Sequence, residues 1–163
     1  MSVTLHGWRH SLYTQAAKVA LTEKGVDFAS VEVDPFGDPQ AALAAGHPFA
    51  RVPVLDHDGF RLYETQAIAA YVDAAFPGPA LTPVAPRARA RMVQAIAPFD
   101  AYGFDPMIAQ HYGHTVFAPE RGEPADPARA GSGLAAALPV CRALEEIAAE
   151  GLVLAGPLTL ADC

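Results

Sequence analysis

Pro53 stands where a β-strand has to begin. It lies in residues 46–65, GHPFARVPVLDHDGFRLYET, between Val52 and the β-forming pair Val54-Leu55. Proline brings no N–H to a ladder, so a strand that carries it must enter at an edge or a corner. A tight Val52-Pro53 corner is a candidate for the cis peptide. Asp56-His57-Asp58-Gly59 supplies turn residues and Phe60, Leu62 and Tyr63 a returning strand, so the stretch predicts a hairpin. Val52 then turns its own N–H and C=O outward, where an extended peptide ligand can pair as one more strand. Glu64-Thr65 follow at once and open an apolar-periodic run over residues 67–72. A carboxylate, a hydroxyl and the free N–H groups of a helix start meet there, suited to a ligand that carries both an ammonium and a carboxylate. Taken singly, an edge strand and an ordinary helix start are the plainer readings; the spacing is what joins them.

The flanking chain gives that hairpin a context. Val3-Thr4-Leu5 reads as a first strand ending in His6-Gly7-Trp8, and Ser11 opens a helix with Tyr13, Ala16, Ala17, Ala20 and Leu21 at helical spacing and Lys24-Gly25 as its stop. Residues 26–33 alternate like a half-buried second strand that ends at Asp34-Pro35. A β-α-β opening implies parallel strands and a right-handed crossover. With a short helix over 40–45, the hairpin and a helix over 67–75, the order is β-α-β-α-β-β-α. Residues 76–86, FPGPALTPVAP, break every periodicity with four prolines and a glycine. The expected division is a first domain at 1–76, a linker at 77–86 and an all-α second domain at 87–163.

In the second half a helix over 87–99 should kink at Pro98, Asp105-Pro106 should interrupt the next turn, and His111 and His114 in HYGH read as loop residues. Residues 122–133 read as a polar loop. Leu134, Leu138, Cys141, Leu144 and Ala148 then mark one face of an amphipathic helix, with Pro139 awkward inside it, Gly151 as its stop and Cys141 as a buried structural thiol. Thr159-Leu160-Ala161-Asp162 has the form of a capping box, with Thr159 accepting from the third helical N–H, and a cap implies a helix beyond it. The chain is therefore expected to be a truncated version of a longer architecture.

Composition removes several function classes. A hydrophobic content of 52% supports real cores, while a net charge of −7 argues against a nucleic-acid partner, the alternating arginines of PRARAR reading as a solvated helix start. No twenty-residue apolar span or signal-peptide core occurs, which points to a cytoplasmic protein without a membrane segment. Cys141 and Cys163 form no CxxC pair, so neither a dithiol redox site nor a metal site is expected.

The element order, the VPV proline, the ET pair, the proline-rich linker and the all-α second half together resemble the cytosolic glutathione S-transferase family, strongest over residues 1–80 and in serine-type, bacterial theta- or phi-like form. The resemblance implies a thioredoxin-like first domain that binds glutathione, a helical domain that shapes the site for an apolar electrophile, and a homodimer. It assigns Val52, before Pro53, to the cysteinyl backbone of glutathione and Glu64 and Thr65 to its γ-glutamyl end. Ser11 takes the place of the catalytic serine, with Tyr13 in reserve. The family's usual cation for the glycyl carboxylate has no counterpart at Asp38-Pro39, leaving Arg51 and His47 as substitutes, and the resemblance sets Asp100 against an acidic residue that in many relatives reaches a partner subunit's glutathione. Tyr102, Phe104, Met107 and Tyr112 are candidates for the electrophile pocket.

The implied chemistry needs a thiolate near neutral pH from a thiol whose ordinary pKa is about 8.5. One hydrogen bond to an ion, worth about 1.5–3 kcal/mol, corresponds to a shift of roughly one to two units. Ser11 is the expected donor, aided by the positive end of its helix and the field of Arg9. Isomerisation or dehalogenation with glutathione as a recycled nucleophile, and a related fold that binds without turnover, are the alternatives.

Overall fold

A computed structural model describes residues 2–163. They divide into two compact units, one running to Thr82 and the other from Pro83 to Asp162. The division falls inside the proline-rich stretch, and a physical reason holds residues 77–82 to the first unit. The buried Lys24 ammonium donates to Asp73 Oδ1 at 3.1 Å and to the Pro79 carbonyl at 2.9 Å, while the Leu81 N–H donates to Asp73 Oδ1 at 2.8 Å.

In the first unit β1 (Val3–Gly7) lies parallel to β2 (Ala29–Glu32) and antiparallel to β3 (Val54–His57), which pairs antiparallel with β4 (Phe60–Tyr63). The sheet order β2-β1-β3-β4 contains the expected parallel β-α-β pair and the expected hairpin. This is the thioredoxin-like arrangement. The register Leu5↔Leu55↔Leu62 lines leucines across the sheet, and Leu5 and Leu55 are fully buried. α1 (Leu12–Glu23) packs against α3 (Thr65–Ala75), which lies against β4; α1 buries Ala17, Ala20 and Leu21, and α3 buries Ile68, Ala69 and Val72. Each large apolar side chain so buried is worth about 1.5–3 kcal/mol. Between the sheet's two halves of sequence runs the short α2 (Pro39–Ala44), capped by Asp38.

Gly25 ends α1 as the lysine-glycine pair predicts. At φ +66° it lets its own N–H reach the Thr22 carbonyl and the Val26 N–H reach the Leu21 carbonyl, the two bonds of a Schellman stop. The second strand departs from expectation: β2 is shorter than residues 26–33 and exposed along its whole length, because it is an edge strand without a covering layer over those four residues.

The second unit is helical: α4 (Pro86–Pro98), a π-helix (Phe99–Phe117), α5 (Ala118–Glu120) and α6 (Pro127–Ala149). Pro98 and Pro106 do not break the run. They lack the N–H an α-ladder needs, and the chain widens into the π form from Phe99 onward, carrying His111 and His114 on helix rather than loop. Residues 127–133 are helical too. Asp126 caps α6 by accepting the Ala128 and Arg129 N–H groups, each at 3.0 Å, and Pro127 needs no donor as the first helical residue.

The buried face of α6 is Ala130, Gly133, Ala137, Val140 and Ile147, not the leucine face. Leu134, Leu138 and Cys141 are exposed, so Cys141 is not the buried thiol expected. Close approach decides this. A Cβ on Gly133 would sit 2.6 Å from the Pro106 carbonyl oxygen and 2.9 Å from the His111 N, so only the small-residue face fits against the π-helix. Met92, Ala95, Ile147 and Val153 form a second core cluster at the far end of α6. The Thr159–Asp162 box is present, with Asp162 Oδ2 accepting the Thr159 N–H and hydroxyl, each at 2.8 Å; Thr159 Oγ1 accepts from Ala161, one residue short of the expected donor.

Candidate functional site

The strand register brings the sequence motifs together. His6↔Val54 sets the end of β1 beside the start of β3, and Val54↔Tyr63 sets the end of β4 beside that same start. The loop leading to Ser11, the Val52-Pro53 corner and the Glu64-Thr65 helix start therefore lie along one end of the sheet.

At that end Ser11 is the N-cap of α1. Its Oγ accepts the Thr14 N–H at 3.2 Å and its N–H donates to the Trp8 carbonyl at 2.9 Å. Thr14 is buried and its Oγ1 accepts the Trp8 N–H at 3.2 Å, so the 8–11 turn is tied to the helix twice. Gly7 is required there, because a Cβ would collide with the Thr14 side chain. Thr14 is a positioning element that the sequence pattern did not single out. Arg9 is engaged elsewhere: its N–H donates to Glu32 Oε1 at 3.1 Å and its Nε to His10 Nε2 at 3.0 Å.

The Val52-Pro53 peptide is cis, Pro53 is buried, and the ladder of β3 begins only at Val54. Among the described residues the Val52 N–H and C=O enter no backbone hydrogen bond. Glu64 caps α3 at φ +70° with no side-chain capping bond, and its carboxylate is largely exposed. Thr65 is the first residue of α3 and half-buried.

The two substitute cations differ. His47 is buried, and its pKa is lowered by burial, partly offset by the Glu64 carboxylate and reinforced by Arg51, so the ring is not a ready cation. Arg51 is exposed and makes no ion pair among the described residues. Of the pocket candidates, all on the π-helix, Tyr102 is largely exposed and Phe104, Met107 and Tyr112 are half-buried. Asp100 lies in the first turn of that helix and Tyr13 is half-buried on α1. His111 Nδ1 lies 3.1 Å from the Ala130 carbonyl and His114 Nδ1 accepts the Asp126 N–H at 3.3 Å, which fastens both rings to the start of α6. No cluster of metal-ligating side chains occurs among the described residues.

Residues 5–80 match the family described as "Glutathione S-transferase, N-terminal domain". That match takes in nearly all of the first unit, which is thus similar to the N-terminal domain of glutathione S-transferases. Among glutathione S-transferases, one from Arabidopsis thaliana is 36% identical over 129 residues, covering 75% of this chain and 59% of that protein. The chain is also 35% identical over 89 residues to a stringent starvation protein A homolog of Coxiella burnetii, covering 55% of this chain and 42% of that one. The chain thus spans about two-fifths to three-fifths of the length of these curated relatives. A solved theta-class glutathione S-transferase from Xanthomonas axonopodis pv. citri, with glutathione bound, matches 99% of this chain and 77% of its own at 27% identity and a TM-score of 0.78.

Proposed function

We propose that this chain is a glutathione transferase, which activates the glutathione thiol for attack on an electrophilic small molecule. The observation that carries the reading is the convergence of Ser11, the Val52-Pro53 corner and the Glu64-Thr65 helix start at one end of the sheet. In this reading Val52 N–H and C=O pair with the cysteinyl backbone, Glu64 takes the α-ammonium, Thr65 and the N–H groups of α3 take the γ-glutamyl carboxylate, and Arg51 takes the glycyl carboxylate.

The thiol gives up its proton to solvent, and Ser11 O–H donates a hydrogen bond to the thiolate that remains. The sulfur lone pair then forms a C–S bond at an electrophilic carbon, and the electron pair of the bond that breaks leaves with the departing group or, in an addition, moves along the substrate and takes up a proton. Phe104, Met107 and Tyr112, with Tyr102, give the second unit aromatic and thioether surface of the kind an apolar small molecule binds. A cytoplasmic homodimer goes with this reading.

The test is a titration of glutathione followed by thiolate absorbance, with Ser11 intact and with Ser11→Ala. A thiolate signal in the parent that is lost in the variant supports the reading; no binding of glutathione by the parent overturns it. The alternative is a related fold that binds glutathione without turnover. Binding without thiolate in the parent selects that one.

A further inference from the structure

His47 is buried beneath the proposed site at 2% exposure. Its Nδ1 accepts the Phe49 N–H at 3.2 Å, so the proton of the neutral ring sits on Nε2. Nε2 faces Glu64 Oε1 at 3.8 Å, longer than a hydrogen bond and short enough for the N–H dipole to act on the carboxylate. The Tyr63 ring at 5.1 Å and the Phe49 ring at 6.0 Å hold the imidazole in that orientation. Glu64 has no capping bond of its own to fix its side chain, which is 66% exposed.

We propose that His47 is a positioning residue that orients the Glu64 carboxylate for the α-ammonium of a γ-glutamyl ligand, an inference that rests on the reading of this site as a glutathione site. Oε1 faces the imidazole, and Oε2 is left to the ligand. A carboxylate held in one orientation beforehand loses less side-chain freedom when the ammonium arrives. Neutrality is part of the device. An imidazolium or a lysine in that place would satisfy the Glu64 charge and compete with the ligand's ammonium, whereas a buried neutral ring orients the carboxylate and leaves its charge available. The lowered pKa of His47 is in keeping with this.

The experiment measures dissociation constants for S-hexylglutathione and S-hexylcysteinylglycine, which lacks the γ-glutamyl group, on the parent, His47→Phe, Glu64→Gln and the double variant. His47→Phe should weaken S-hexylglutathione about tenfold, leave S-hexylcysteinylglycine unchanged, and add nothing on the Glu64→Gln background. His47→Gln, which restores an N–H donor, should recover most of the loss. Equal loss for both ligands, no loss, or additive losses in the double variant would overturn the role of His47 while leaving the site reading intact. A parent that binds neither ligand overturns both. If thermal unfolding shows that His47→Phe does not fold, His47→Met removes the same N–H with an adaptable side chain and is held to the same outcomes.

Discussion

The Ser11 hydroxyl accepts the Thr14 N–H at 3.2 Å, and a hydroxyl that accepts through a lone pair still has its proton to give. Capping and thiolate stabilisation are therefore compatible in one side chain, and substitution can separate them. Ser11→Ala should raise the pKa of bound glutathione by about one to two units and cost about 1 kcal/mol of stability. Ser11→Asp should keep the cap and still lose the thiolate, since a carboxylate accepts but does not donate. Thiolate absorbance against pH, set beside a urea melt, checks both; a normal thiolate in the Asp variant would remove Ser11 from its role.

Glu64→Gln keeps the length of the side chain and removes its charge. Affinity for glutathione should fall about tenfold or more, the scale of a hydrogen bond to a charged group, while cysteinylglycine should bind the parent and the variant alike. Calorimetry of both ligands makes the comparison, and an equal loss for the two would place Glu64 outside the γ-glutamyl subsite.

Lys24 and Asp73 are a buried pair that fastens residues 77–82 to the first unit. Lys24→Met should destabilise the protein by about 3 kcal/mol, because it strands a buried carboxylate, and Lys24→Met/Asp73→Leu should recover part of that loss. Denaturant midpoints are the measurement; a double variant weaker than the single would contradict the account.

Acid should unfold the protein in two stages. Burial lowers the pKa of His47 and, with Arg61, that of His6 below the usual 6.5. The unfolded chain then binds protons that the folded chain refuses, so stability present above about pH 6.5 falls as the pH drops toward the folded values. Asp73 forms the second stage. Burial pushes its pKa up, but the Leu81 N–H, the Thr82 hydroxyl and Lys24 together bring it below the usual 3.8, so its contribution is present above that value and is lost as the pH falls below it. Urea midpoints from pH 8 to pH 3 test the sequence, and His47→Phe should flatten the slope just below pH 6.5.

Gly133→Ala should cost about 1–3 kcal/mol, since the added methyl meets backbone atoms of the π-helix at 2.6 and 2.9 Å, which cannot swing aside as a side chain can. Thermal unfolding reads the loss. An unchanged midpoint would mean that the two helices separate at little cost.

The first unit was legible because its signals are local. Pro53, the Asp58-Gly59 turn and the Lys24-Gly25 stop each act within a few residues, and together they set the order and register of the strands. Neither the α6 seam nor the π-helix has such a local mark. Counting large apolar residues selects Leu134 and Leu138, whereas the packing selects Gly133 and Ala137 because the backbones nearly touch; proline suggests a break, yet the chain can also take a wider turn. Site chemistry followed the same line. Ser11, Val52 and Glu64 could be named from motifs, but whether His47 serves as a cation or as a buried prop depends on neighbours that only the folded chain supplies.

Glu64 holds φ +70° and ψ +120°, a backbone shape outside the left-handed helical well, one that glycine enters most readily and β-branched residues resist. Selection at this one codon therefore answers to two independent demands, and a saturation library would sort into three groups. Glycine should give a folded protein that binds weakly, glutamine an intermediate, and valine or isoleucine proteins that are impaired before any ligand is added.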